Sequence, residues 1–271
     1  MKKKRLILLV LCVIVLLGVL TAVIISVSEP PEPMYEGKPL SAILRPYVSS
    51  FDTRIIDSRM RKAVESLGTN ALPTLLRWLS AKDSPIKLKA VGLFQKLPWV
   101  NYRYWTAEDR HLTAAFGFEI LGPKARLAVP ELVEILNSRL YVDSLFCTIR
   151  SLASIGPDAG EAVPALLDLI TSTNETVQLC CISALGRIPS RPDLEVPVLI
   201  KLLTNTDLWI RTAAADSLGA FGTNARQAIG PLSRMIKVGS FQEQDAASNT
   251  LKLIAPEVLE KVVDDHGNKS P

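Results

Sequence analysis

"GTNA" at residues 68–71 returns at 222–225, and "GPKA" at 122–125 and "GPDA" at 156–159 are close variants, so one chain of 271 residues spells G-[TP]-x-A four times. Each copy follows a hydrophobic residue, Leu67, Leu121, Ile155 or Phe221, that ends an apolar periodic run. From Gly122 to Gly156 is 34 residues and from Gly156 to Gly222 is 66, twice 33. Pro130, Pro164, Pro197 and Pro231 follow one another at 34, 33 and 34 and keep the same phase. A fixed period near 34 means stacked supersecondary units.

Within one unit, "EAVPALLDLITS" places Val163, Leu166, Leu167 and Ile170 at helical spacing, with Pro164 in the first turn where its missing N–H costs little. "TSTNET" then offers Thr173 and Asn174 as caps, and "VQLCCISALGRI" sets Val177, Cys181, Ile182 and Leu185 on one stripe of a second helix. Two helices and two short turns fill a period. A helix that stops and reverses within a few residues needs a residue able to take positive φ, which is the task of the recurrent glycine. The following Pro or Thr opens the turn and the Ala is expected to begin the next helix. One corner departs: Ile188-Pro189-Ser190-Arg191-Pro192 has no glycine, and a different turn geometry is expected there.

These residues resemble the HEAT-repeat family, in the short bacterial form similar to phycobilisome-lyase repeats. The phrase "IRTAAADSLGAFG" at 210–222, with Arg211, Ala214, Ala215, Leu218 and Gly222, is close to that pattern, and "HLTAAFGFEILG", "LFCTIRSLASIG" and "QLCCISALGRI" are weaker copies. The resemblance covers about residues 55–262. It implies an all-α fold, an α-α superhelix (HEAT-like solenoid) whose second helices line the concave face. It is much less specific for activity, since some relatives attach or isomerise bilin pigments and others act on alkylated DNA. "YEGKPLSAIL" at 35–44 looks like the lead-in of membrane-anchored bacterial proteins of this sort.

The chain divides into a tip at 1–5, an apolar segment at 6–27, a Pro-rich linker at 28–38, the repeat domain at 39–263 and a fraying tail at 264–271. Leu6 to Val27 is 22 residues without a charge, enough at about 1.5 Å per residue to span the roughly 30 Å hydrocarbon core. It reads as one N-terminal transmembrane helix. A cleaved signal peptide is the rival, because Ser26-Val27-Ser28 offers small residues, but its apolar core is usually about 7–15 residues long. Lys2, Lys3, Lys4 and Arg5 precede the segment and Glu29, Glu32 and Glu36 follow it, so the N-terminus is expected in the cytoplasm and the repeat domain outside it. The middle of the domain is irregular: Pro73 to Pro130 is 57 residues, neither one period nor two. A first helix is read as replaced there by the short aromatic segment "PWVNYRYW" at 98–105.

Charge and chemistry exclude several classes. The net charge of +4 resides wholly in the four basic residues at 2–5, which leaves 27 basic against 27 acidic residues, so the electrostatic case for nucleic acid fails. Beyond Cys12, the cysteines Cys147, Cys180 and Cys181 are odd in number and lack CxxC spacing. They read as buried small residues. Cys147 and Cys180 hold matching places in successive units, too far apart for a disulfide. The two histidines, His111 and His266, make no metal cluster, and His111 stands where Arg211 does in the clearest unit, as a surface or turn-facing group. No G-x-S-x-G, P-loop or G-x-G-x-x-G occurs. No catalytic residue, metal, cofactor or small-molecule substrate is expected.

The candidate binding residues are Trp99, Tyr102, Arg103, Tyr104 and Trp105, aromatic and arginine types enriched in binding hot spots, although the same rings suit a plug for the gap. Phe116, Arg150, Ser183 and Asp216 occupy matching places in successive second helices and mix apolar, basic, neutral and acidic types, which suits a protein surface better than nucleic acid. The function expected is a membrane-anchored, non-catalytic scaffold that binds a protein partner outside the cytoplasm. A HEAT-like enzyme and an envelope spacer without a partner are the alternatives.

Overall fold

The computed structural model describes residues 31–45, 58–94, 104–138 and 142–259. The tip, the apolar segment 6–27, the start of the linker and the tail 264–271 lie outside the described residues, as do Trp99, Tyr102 and Arg103. Among the described residues no helix is long and apolar enough to cross a membrane.

The four corners carry the expected backbone. Gly68, Gly122, Gly156 and Gly222 have φ of 52°, 53°, 78° and 51°. At Gly122 ψ is −133°, close to a region that only glycine enters without strain. The alanine of each corner does not begin an α-helix. A 3₁₀ segment intervenes at Gly68–Ala71, Gly122–Ala128, Gly156–Ala162 and Gly222–Ala228, and Ala71, Ala125, Ala159 and Ala225 are wholly buried within these segments. The reason lies in stacking: each of the first three corners packs on the next, so a small side chain is needed where they meet.

The chain opens on a two-residue hairpin, β1 (Met34–Tyr35) and β2 (Lys38–Pro39), paired antiparallel. Its turn has positive φ at both Glu36 (48°) and Gly37 (72°), as a two-residue hairpin turn requires. The folded body therefore starts at Met34 and not at 39, since the hairpin packs on the helices that follow. Those helices are α1 (Leu40–Leu44), α2 (Ser58–Leu67), α3 (Leu72–Leu79), α4 (Pro85–Phe94), α5 (Ala107–Leu121), α6 (Val129–Ser138) and α7 (Val142–Ile155). There follow α8 (Val163–Leu169), α9 (Glu175–Arg187), α10 (Pro192–Leu202), α11 (Leu208–Gly219), α12 (Ile229–Val238) and α13 (Phe241–Ile254).

Residues 34–259 form an all-α solenoid of helix pairs. The second helices α5, α7, α9, α11 and α13 pack along one another, whereas the first helices α3, α6, α8 and α10 touch their successors only sparsely. The closely packed row is the inner layer. Leu132, Leu166, Leu199 and Leu232, spaced at 34, 33 and 33, are fully buried in successive first helices, and each such leucine contributes about 1.5–3 kcal/mol. The inner layer is spaced by small residues: Ala115, Thr148, Cys181, Ala214 and Ala247 are all buried at one register position. The Ser217 hydroxyl donates to the Ile182 carbonyl at 2.9 Å and the Thr250 hydroxyl to the Ala215 carbonyl at 2.8 Å, tying α11 to α9 and α13 to α11 at equivalent places. At Gly186 a Cβ would lie 2.9 Å from the Ser217 Cα, so the α9 and α11 backbones meet there only because the side chain is absent.

The irregular middle is an insertion, not a lost helix. The corner at Gly68–Ala71 stacks directly on the corner at Gly122–Ala128, and α3 packs on α5 as a first helix does on its own second helix. The 57 residues from Pro73 to Pro130 thus hold a single unit, with α4 and the aromatic segment inserted between its two helices. The glycine-free corner differs as expected. There α10 starts directly at Pro192 without a 3₁₀ segment, and Pro197, whose counterparts Pro130 and Pro164 stand in the first turn, falls inside the helix.

Candidate functional site

The inserted stretch leaves the stack after α3 and returns at α5, and Asp83 fastens its two ends together. Its Oδ1 accepts the Tyr104 hydroxyl at 2.9 Å and an Arg110 Nη2–H at 3.0 Å, while its Oδ2 accepts the Ala107 amide at 2.8 Å. Thr106 and Asp109 add a reciprocal capping box that starts α5. Tyr104 is 9% exposed, and burial, reinforced by the bond to the Asp83 carboxylate, pushes its hydroxyl pKa up to about 12. Trp105 is half-buried, edge-on to Trp78 with centroids 5.0 Å apart, and the Arg45 guanidinium carbon lies 5.8 Å from its ring centre. Both rings pack at the neck of the insertion. The exposed apolar side chains of the insertion among the described residues are Ile86 and Leu88, on α4.

His111 is turn-facing but not on the surface: it is buried, and its Nε2 meets the Ala81 carbonyl at 3.0 Å. Burial lowers its pKa, and its buried Nδ1 has no hydrogen-bond partner among the described residues. The position is a recurrent latch. At the same register, Gln178 donates to the Ser172 carbonyl at 2.6 Å, Arg211 to the Asn205 and Thr206 carbonyls at 2.7 and 2.9 Å, and Gln244 to the Gly239 carbonyl at 3.0 Å. Each closes the turn between the two helices of its unit. Arg211 Nε also donates to Glu243 at 2.6 Å, which, with the Ser240 contacts, holds the Glu243 carboxyl at about 2. The latch was written in the sequence at spacings of 33 and 34, through His111, Leu145, Gln178, Arg211 and Gln244, but its acceptors are main-chain carbonyls that no side-chain pattern reveals.

The matching row on the inner helices separates into two parts. Phe116 is buried, with the Arg150 guanidinium carbon 5.2 Å from its ring centre, and Arg150 is also paired with Glu119. Ser183 and Asp216 are exposed. Between α7 and α9 the inner layer leaves a largely apolar depression of about 230 Å³, floored by Phe146, Ile149, Ala153 and Leu179. Cys180, Ser183, Arg150 and Arg187 edge it. Arg187 is exposed and has no acidic partner among the described residues. Partial burial, and then the neighbouring Asp245 carboxylate, raise the pKa of Asp216 on the next inner helix.

All three described cysteines are free thiols. Cys147 and Cys181 are buried, which pushes each to about 12 and makes them packing residues. Cys180 departs from the sequence reading: it is only half-buried, because its register faces the depression and not the neighbouring helix. No group of three or more His, Cys, Asp or Glu residues able to hold a metal ion occurs among the described residues. Phe146, Leu179 and Arg187 were not singled out from the sequence. Their only signal was their place one turn from the row that holds Arg150 and Ser183.

No family model matches the chain, and no curated protein matches it. Among solved structures it is similar to an engineered protein, at 20% identity and a TM-score of 0.45, over 82% of this chain and 97% of that one. It is also similar to the complex of CpcE and CpcF of phycocyanin lyase from Nostoc sp. PCC7120, at 20% identity and a TM-score of 0.31, over 84% of this chain and all of that one. Neither likeness assigns a role to any residue.

Proposed function

We propose that the protein is a membrane-anchored, non-catalytic scaffold of HEAT-like repeats that docks a protein partner on its inner helical layer outside the cytoplasm. The observation that carries this reading is the open apolar depression between α7 and α9, set in helices whose backbones are locked to one another by buried contacts. A rigid array of this kind presents side chains at fixed spacing, so binding requires little ordering of the scaffold. The apolar segment 6–27 and the basic residues before it support anchoring with the repeat domain on the far side of the bilayer. Anchoring raises the local concentration of the docking surface at the membrane.

The inner layer is preferred to the aromatic segment because Tyr104 and Trp105 are engaged at the neck of the insertion. Cross-linking of the full chain in its own membranes, followed by mass spectrometry, tests the reading. A reproducible protein partner that is lost when Ser183→Trp fills the depression is the expected result. A partner lost instead with Trp99→Ala moves the site to the insertion, and the absence of any partner leaves a spacer.

A further inference from the structure

The inner face changes sign along the stack. Its α7 and α5 side is closed electrostatically, because Arg150 is held by Glu119 and covers Phe116. The next helix, α9, brings an open cation, Arg187, to the edge of the depression, with Leu179 and Cys180 beside it. Beyond it α11 and α13 present Asp216 and Asp245, both exposed and close enough to affect one another's ionisation. Arg187 and Asp216 do not satisfy each other, although each adjoins the point where α9 and α11 approach at Gly186 and Ser217. Two inner helices therefore carry, in order, an apolar cavity, an unneutralised cation and a pair of crowded carboxylates. A depression of about 230 Å³ accommodates one large side chain and not a drug-sized ligand, whose pockets run to about 300–1,000 Å³.

We infer that this stretch of the inner face receives one segment of the partner protein that seats a large apolar side chain between α7 and α9, sets a carboxylate against Arg187 and a basic group against Asp216 and Asp245. The inference rests on the docking function proposed above and specifies the chemistry of its occupant. Charge complementarity fixes the direction of the segment, because reversal would place like charges together at both ends. The apolar anchor supplies affinity, and the flanking charges supply register. A polyanion is disfavoured by the Asp216 and Asp245 end, and a uniformly basic segment by Arg187.

A displayed library of random twelve-residue peptides, selected against the full chain in detergent micelles, is the probe. The expected winners carry an acidic residue, a large apolar residue and a basic residue. Their binding should fall at least tenfold with Arg187→Glu and with Ser183→Trp, both at exposed positions that leave the core untouched. Bound peptide should also slow maleimide labelling of Cys180 severalfold, while Arg187→Glu with peptide leaves labelling at the free rate. Winners that bind Arg187→Glu as well as the parent, that lack the acid, or that leave Cys180 as reactive as before overturn the inference, and so does a selection without winners. If membrane cross-linking still finds a partner in that case, the docking function stands and only its chemistry fails; if it finds none, both fail.

Discussion

From Gly122 onward the chain passes between paired helices through short turns, whereas between α3 and α5 it leaves the stack for residues 80–106. The two regions solve one problem with different means. In the regular units a glutamine or arginine in the first turn of the second helix bonds the carbonyls of the preceding turn, and apolar packing does the rest. In the interrupted unit a histidine makes that bond, and a nearly buried aspartate with three donors gathers the ends of the excursion. A short loop is closed by chain geometry alone, while a long one needs a fastening whose polar groups are matched, since each extra residue adds closure entropy.

The sharpest way to break this contrast is Asp83→Ala. It strands the buried Arg110 guanidinium, the Tyr104 hydroxyl and the Ala107 amide at once, and losing one partner of a buried pair costs about 3–5 kcal/mol. Urea unfolding should show that loss, with limited proteolysis cutting within 84–103 while 142–259 resists. A loss below about 1 kcal/mol would mean the neck is held by Trp78 and Trp105 packing instead.

Next in size is Gly122→Ala, at about 1–3 kcal/mol, because a Cβ is strained at φ 53° and ψ −133°. Gly92→Ala in the inserted α4 is the matched control: nothing lies within 4 Å of its Cβ, the residue is helical, and the change should be neutral or stabilising by about 0.5–1 kcal/mol. Equal effects at the two sites, read from thermal unfolding, would remove the distinction between corner and insertion.

The glycine-free corner gives a third test, since the buried Glu195 stands there with Oε2 on the Arg191 amide at 2.6 Å and Oε1 without a partner. Burial raises its carboxyl from 4.5 to about 7. A folded value above the unfolded one means the group stabilises most below pH 4.5 and loses this as pH rises toward 7. Relative to the parent, Glu195→Gln should therefore gain about 1–3 kcal/mol between pH 4.5 and 8. A difference that stays flat across this range would show that Glu195 ionises without penalty.

The smallest effect is expected from His111→Gln, which installs in the interrupted unit the latch used at Gln178 and Gln244. Because burial lowers the histidine's pKa, the parent is fully stable above the unfolded value of about 6.5 and loses stability as pH falls below it. The variant should flatten that acid limb by about 1 kcal/mol in denaturation at pH 5 and leave pH 8 unchanged. An unaltered acid limb would assign it to other groups.

Much of the fold was legible because its signals are local. Positive φ at a corner excludes side chains whatever surrounds it, so Gly68, Gly122, Gly156 and Gly222 marked the turns, and the proline-bounded corner at 188–192 announced its own exception. The interruption was misread because spacing counts residues without saying which helices touch. An inserted helix and a lost one both disturb the period, and only the stacking of the Gly68 and Gly122 corners distinguishes them. The aromatic residues show the same division: their abundance was visible, but the engagement of Tyr104 with Asp83 and of Trp105 with Trp78 was not.

By itself the sequence determined a repeating helix pair, its period, its breaks and the separation of an apolar N-terminal stretch from a neutral body, since backbone strain and hydrophobic periodicity act over a few residues. The tertiary structure alone decided which helices form the inner layer, which polar groups latch to main-chain carbonyls, and where a cavity remains open between α7 and α9. Those depend on distances between residues some 33 positions apart, and a distance is set only when side chains of definite volume have been packed against one another.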